Sequence, residues 1–419
     1  MKTVATDKAS FDKDMGFYNN GLNFFGPNIV ASETKPWRRH RTVSNPAFNE
    51  SVNAIVWKET AIAVGNWFAE IDSEDGDIPI HTFDSFSKLA LVIFARAGFG
   101  SDGSTSMGEL LEVIRKANHY SAARGVLPDW IFKLTNWIYI PLISPYLRAT
   151  IKTYNDLERI SMSVVSKARA DVLELEESKL DSTTSGALLR SLVKANMDMD
   201  DEKDEKDRDR RSLTDRELLS DMWVFFTAGH ETTANTVSFV CVFLALYPDI
   251  QRKVFNEVQG IWPDGVPKEV NEEDYKNTFS KLVYTTAVIH EALRLNPIVS
   301  RLGRDVLQDT VLKSYRFNGT SDPEPYIIPM KKGSKVIIDI AAVHRNPFST
   351  GFRNCIGQKF AMAEGVNILA RIVRTYEILV PKHLEYKSLD EQKAYLLEWR
   401  PLITNSPVHP EVTLRKRLH

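Results

Sequence analysis

Residues 348–361 read FSTGFRNCIGQKFA, and the fold of the chain turns on how this stretch is read. It holds one cysteine, Cys355, framed by Gly351, Arg353 and Gly357. A helical pattern follows at once, from Gln358 through Ala363, Ile368 and Ile372. A glycine two residues past a cysteine lets the backbone come close to whatever the sulfur holds. A cysteine just before a helix has amide N–H groups and a positive helix end near its sulfur, which favours thiolate. That setting suits a metal-bound thiolate; the plainer reading is a lone buried cysteine in a loop.

Composition narrows the rest. The 419 residues are 43% hydrophobic and carry 53 basic and 55 acidic side chains, an ordinary globular balance. A net charge near −2 argues against a general polyanion or nucleic-acid binder. Two cysteines exclude a disulfide framework and a Cys-rich zinc site. Cys241 stands in an apolar helical run and reads as packing, which leaves Cys355 for chemistry in a reducing compartment. Residues 1–20 are polar, and no uninterrupted apolar run reaches about 18 residues, so neither a signal nor a span is expected.

Helical periodicity dominates, so the expected class is mainly α with small sheets. Helices are predicted over 51–70, 82–98, 105–122, 145–175 and 358–376, with a short strand at Ile78–Ile80. YIIPMKKGSKVIIDI (326–340) reads as a hairpin around Gly333. Thr214 and Glu217 form a capping box that opens a buried helix running to about Tyr247, stopped by Pro248. In its middle lies AGHETT, residues 228–233. An acid, a glycine and two threonines in a buried helix are expensive unless they have work. Thr232 can return its hydroxyl to the Ala228 carbonyl and loosen the helix into a notch.

Three further stretches stand out. In KPWRRHRTVSNPAF (35–48), Trp37 and Arg41 fall on one helix face. KLVYTTAVIHEALRLNP (281–297) carries Glu291 and Arg294 one turn apart among apolar neighbours, which predicts a buried pair. The aromatic run over 126–146, with Trp130, Phe132, Trp137 and Tyr139, reads either as an interfacial membrane patch or as core packing. Residues 198–211, almost wholly charged, read as a solvated loop.

The spacing Phe348-x-x-Gly351-x-Arg353-x-Cys355-x-Gly357, preceded in order by Trp37-x-x-x-Arg41, AGHETT and Glu291-x-x-Arg294, resembles the cytochrome P-450 haem-thiolate monooxygenases of the eukaryotic microsomal type. The resemblance implies a single domain over 1–419, with many helices around a buried haem b. It implies Cys355 as axial ligand of the haem iron, a thiolate that pushes electron density onto the metal. Arg353, Trp37, Arg41 and Arg304 then hold propionates, with Phe348 and Gly357 beside the cofactor. Thr232 hydrogen-bonds oxygen at the sixth position and Glu231 lies on the proton path to it. Phe225, Ala228, Thr233 and Val299, with Ile298 and Ser300, line the substrate pocket, while Glu291 and Arg294 support the cysteine loop. The implied reaction puts one atom of O2 into a hydrophobic organic substrate. Its electrons come from NADPH through a reductase at the endoplasmic reticulum membrane. Arg38, Arg39 and His40 are left to meet an acidic electron donor.

The chain also departs from the family. Pro347 runs straight into Phe348, where the family has some tens of residues containing a short helix and an arginine that completes the Glu–Arg network. The N-terminal anchor region is missing as well. The chain therefore reads as N-terminally truncated with an internal deletion at 347/348. The alternative function is a catalytically inactive haem-binding fragment, or an imperfect gene model of such an enzyme.

Overall fold

The molecule is described by a computed structural model for residues 2–72, 76–100, 105–135, 137–178, 186–197, 212–316, 324–343, 348–349, 353–401 and 404–417. The charged run 198–211, the residues His344 to Pro347, and Gly351 lie outside the described residues. The helices fall where the periodicity puts them: α1 (Thr34–Ser44), α2 (Glu50–Ile71), α3 (Thr82–Phe99), α4 (Thr105–Val126), α5 (Ile143–Ser178), α6 (Asp215–Leu246), α7 (Val283–Leu295) and α8 (Gln358–Thr375). The class is mainly α with small sheets, as expected.

The organising element is α6, 32 residues and about 48 Å long. Its capping box is complete: Glu217 N–H donates to Thr214 Oγ1 at 3.2 Å, and Thr214 N–H donates to Glu217 Oε2 at 2.9 Å. Val237, Phe239, Val240, Cys241, Val242 and Leu244 are each at most 1% exposed, so Cys241 is packing, as read. α3 crosses α6 closely because Gly229 has no side chain: a Cβ there would stand 3.0 Å from the Phe94 ring. The near end of α6 is tied to the N-terminal segment by Ile29 N–H to Asp221 Oδ1 at 2.8 Å and Asn28 Nδ2 to Ser220 Oγ at 3.0 Å.

The strands are β1 (Phe11–Lys13), β2 (Ile78–His81), β3 (Arg301–Val306), β4 (Thr310–Arg316), β5 (Glu324–Met330), β6 (Lys335–Asp339), β7 (Tyr376–Leu379), β8 (Trp399–Pro401), β9 (Asn405–Pro407) and β10 (Glu411–Lys416). They form sheets ordered β1-β3-β6, β2-β10-β7, β4-β5 and β8-β9. The hairpin expected around Gly333 does not form. β5 pairs back on β4 and β6 pairs with β3, so the two strands belong to different sheets. Gly333, at φ +82°, donates its N–H to Val306 O at 2.8 Å and hands the chain from one sheet to the other.

Two other expectations are corrected. Glu291 and Arg294 form a bidentate pair at 2.6 and 2.7 Å, but their side chains are 55% and 44% exposed. Apolar neighbours make only one face of α7 buried, through Ile289, Ala292 and Leu293; the pair stands on the more exposed side of the helix. In the 126–146 run, Phe132 is core, whereas Trp130, Trp137 and Tyr139 are 63%, 88% and 63% exposed.

Candidate active site

The sheets and helices surround a cavity of about 650 Å³, within the range of small-molecule and cofactor sites. One wall is the middle of α6. Thr232 Oγ1 donates to Ala228 O at 2.7 Å, the back-bond read from the sequence, and Thr233 Oγ1 donates to Gly229 O at 3.0 Å. Phe225, Ala228, Glu231, Thr232 and Thr233 all line the cavity. Glu231 does not hang free: its Oε1 accepts from the Thr404 hydroxyl, and Asn235 Nδ2 donates to the same Thr404 oxygen at 3.3 Å. Thr404, just before β9, also lines the cavity and carried no signal in the sequence. Next door, His230 is buried. Its Nδ1 meets Phe226 O at 2.6 Å and its Nε2 meets Asn118 Nδ2 at 3.3 Å. Burial lowers its pKa, so it is neutral.

The facing wall is the cysteine loop. Cys355 N–H donates to Phe348 O at 2.9 Å and closes the loop; Gly357 then caps α8. Cys355 has accessible surface although it sits deep in the molecule, because that surface faces the cavity. Burial pushes the thiol pKa up, while the Gly357 N–H and the Arg41 guanidinium pull it down. The helix end acts on the sulfur as expected, but in the folded chain burial outweighs it, so thiolate is not favoured by the protein alone.

Cations and one indole ring make the third side. Arg353 stacks on Trp37 at 4.2 Å, pairs with Asp12 at 2.9 Å and donates to Ser32 O at 3.0 Å. Arg41 Nη1 donates to Asn354 O at 3.0 Å beside the cysteine. Arg304 is buried, donates to Gly303 O at 2.8 Å and hydrogen-bonds Tyr18. All four of Trp37, Arg41, Arg304 and Arg353 line the cavity, with Phe348, Gly357, Ile298 and Val299. Ser300 does not line it; its hydroxyl donates to Asn405 Oδ1 at 3.3 Å. Neither does the surface expectation for α1 hold. Arg39 is ion-paired with Glu217, and fully buried His40 contacts Asp221 Oδ2 through Nδ1 at 2.6 Å. Both serve the α1–α6 packing, so only Arg38 of that trio is exposed.

The family model for cytochrome P-450 matches residues 1–347 and again 346–404, leaving little of the chain outside it. This chain belongs to the cytochrome P-450 family. Cytochrome P-450 monooxygenase 124 of Postia placenta is 27% identical over an alignment of 454 positions, spanning 100% of this chain and 81% of that one. Cytochrome P-450 4F8 of Homo sapiens is 26% identical, over 93% of this chain and 76% of the relative. A cytochrome P-450 crystal structure superposes with a TM-score of 0.66 at 19% identity, covering 99% of this chain and 90% of the other, a likeness of fold. The chain is thus an oxidoreductase of the P-450 monooxygenase class. The family implies haem, and the cavity fits it. A thiol, four cationic or indole groups and an apolar helix wall converge on one space. Gly357 also fits: its φ is −87° and a Cβ there would meet only Phe48, at 3.8 Å. Neither backbone strain nor protein packing requires a glycine at that position, whereas a ligand pressed against the loop does.

Proposed function

We propose that this protein is a haem b-thiolate monooxygenase that inserts one oxygen atom of O2 into a hydrophobic substrate, with electrons from NADPH delivered by a reductase. The observation that carries the reading is Cys355 and Thr232 facing one cavity from opposite walls. Bound haem supplies the redox chemistry; the chain supplies position and protons. Cys355 holds the iron. Arg41, Arg304, Arg353 and Trp37 neutralise and orient the propionates. Glu231, fixed by Thr404, holds a proton acceptor at the cavity edge, and the Thr232 hydroxyl stands ready to trade its Ala228 bond for one into the cavity. Phe225, Ala228, Thr233 and Val299 offer apolar contact and support a lipophilic substrate. The test is absorption of the reduced protein under carbon monoxide, with a Thr232→Ala comparison. A thiolate-type band is expected, and Thr232→Ala should consume NADPH with less product per turnover. An imidazole-type spectrum, or unchanged coupling, rejects the assignment.

Trp130, Trp137, Tyr139 and Leu142 support contact of the 126–146 region with a membrane surface such as the endoplasmic reticulum, since they form one aromatic and aliphatic exposed run. No single helix among the described residues is long and apolar enough to cross a membrane. Co-sedimentation with phospholipid vesicles, lost in Trp137→Ser, tests this contact.

A second reading has its own support: the domain over 1–419 carries an internal deletion at 347/348 and holds haem poorly. The family model matches in two pieces that meet there, and the Glu291 and Arg294 side chains are about half exposed. Near-full haem occupancy in the purified chain overturns it.

A further inference from the structure

Four threonines of α6 line the cavity: Thr227, Thr232, Thr233 and Thr236. Three of them return the hydroxyl to the carbonyl one turn back. Thr232 donates to Ala228 O at 2.7 Å, Thr233 to Gly229 O at 3.0 Å and Thr236 to Thr232 O at 2.8 Å. Thr227 does otherwise: its Oγ1 donates across to α4, to Asn118 Oδ1 at 3.4 Å. The residues flanking it along that wall, Val224, Phe225 and Ala228, are apolar.

The direction of that bond is set behind it. A carbonyl oxygen only accepts, so the hydrogen between His230 Nδ1 and Phe226 O, 2.6 Å apart, belongs to the imidazole. Burial lowers the His230 pKa, against the pull of the Phe226 carbonyl and Glu231, so the ring is neutral and its Nε2 is bare. A bare nitrogen takes a donor, and Asn118 Nδ2 faces it at 3.3 Å. With its amide nitrogen turned to His230, Asn118 presents its oxygen to Thr227, and an amide oxygen accepts. The Thr227 hydrogen is thereby committed to Asn118, and lone pairs are left for the cavity. At 3.4 Å the link is long, so it orients the hydroxyl more than it holds α4 to α6.

We propose that Thr227 is a specificity-determining residue, a hydrogen-bond acceptor set in an apolar wall, and that the substrate is a lipophilic molecule carrying a hydroxyl or N–H donor. The inference rests on the monooxygenase reading and narrows its substrate class. Thr227 precedes Thr232 by about 7.5 Å along the helix axis. The donor group therefore sits away from the carbon presented at Thr232 and lays the substrate along α6. A wall that offers an acceptor discriminates against an analogue with an oxygen but no donor, because two acceptors facing each other leave both unsatisfied.

The experiment measures binding of 1-decanol, its methyl ether and undecane to the haem-loaded protein by equilibrium dialysis. Wild type, Thr227→Val, Thr227→Ser and Asn118→Leu are compared, with circular dichroism to follow folding. The alcohol carries a donor, the ether the same oxygen without one, and the alkane neither. The alcohol-to-ether affinity ratio of wild type is expected to be about fivefold that of Thr227→Val, the usual worth of one neutral hydrogen bond. Thr227→Val should leave the affinity for undecane unchanged, and Thr227→Ser should keep the wild-type ratio. Asn118→Leu frees the Thr227 hydrogen to turn into the cavity, so the ether should gain on the alcohol there, a change that a merely structural role would not produce. The same ratio in wild type and Thr227→Val, a lower ratio in wild type, or an equal loss of all three ligands in Thr227→Val overturns the proposal, as does no binding of any of them. The monooxygenase reading fails separately: a reduced, carbon monoxide spectrum without the thiolate-type band rejects it, while the alcohol-to-ether ratio still decides the polarity of Thr227.

Discussion

The two walls of the cavity are built to different standards. The α6 wall is held at every level. A capping box starts the helix, Asn28 and Ile29 tether its first turns, Phe94 packs on Gly229, and Thr404 fixes Glu231 from the far end of the chain. On the cysteine wall Cys355 N–H is bonded to Phe348 O, while the Glu291–Arg294 pair of α7 is about half exposed. Glu291 and Arg294 meet each other with good geometry in that half-exposed setting. Breaking such a pair costs little in water and much once it is covered, because removing one partner then leaves a buried charge uncompensated. The contrast teaches that a site can be chemically complete while half of its scaffold is not.

The largest effect expected from breaking this contrast is at the sulfur. Cys355→Ala removes the only cysteine on the cavity, since Cys241 is enclosed in the core. Thiolate-type absorption and monooxygenase activity should both fall to background while the α6 wall stays folded, seen as an unchanged far-ultraviolet circular dichroism spectrum. Loss of helix together with activity would show that the two walls are not independent.

Next in size is repair of the open side. Inserting a covering segment of a related P-450 between Pro347 and Phe348 should raise haem occupancy severalfold and raise the Tm. In the chain as it stands, Arg294→Ala should move the Tm no more than an ordinary surface substitution. In the extended chain the same change should cost haem occupancy, because it strands a buried carboxylate. Equal effects of Arg294→Ala in both chains would mean that the pair already has its full support.

What could be read in advance follows the same divide between local and distant causes. Cys355, Gly357, the α6 capping box and the Thr232 back-bond are encoded within a few residues of one another, and each stands where its spacing puts it. Cavity-lining Trp37 and Arg41 needed only the helical period. Lys13 and Thr404 carried no such signal: each reaches the cavity in or beside a three-residue strand, and its partner lies far along the chain, 173 positions away for Thr404 and Glu231. The Gly333 hairpin failed for the complementary reason. Local turn chemistry was right, but long-range pairing assigned β5 and β6 to different sheets. Burial of Glu291 and Arg294 was misjudged because it depends on an element that must lie over α7, and apolar neighbours on the same helix say nothing about that face.

A smaller effect sharpens the account of the well-built wall. Thr404→Val removes the hydroxyl that donates to Glu231, keeps the volume, and leaves Asn235 Nδ2 with Ser406 at 3.2 Å. The cost to stability should be about 1 kcal/mol by chemical denaturation, the usual worth of one such hydrogen bond. Product formation should fall further than that number suggests, since a loosened Glu231 no longer holds its proton acceptor at a fixed place. No change in either would return Glu231 to a passive role.

The smallest expected effect concerns pH and His230. Burial lowers its pKa below the ordinary 6.5, with the Phe226 carbonyl and Glu231 acting in the opposite sense. The unfolded chain therefore binds a proton near 6.5 that the folded chain refuses until lower pH. Above 6.5 both states are neutral and the group costs nothing. As pH falls from 6.5 toward the lower folded value, the unfolded state gains protons and stability declines. His230→Gln, which cannot titrate, should flatten that part of the stability profile and leave the slope above pH 7 unchanged. A profile that keeps its acid limb in the variant would place the titrating group elsewhere, on the open side of the cavity and not in the wall that α6 builds.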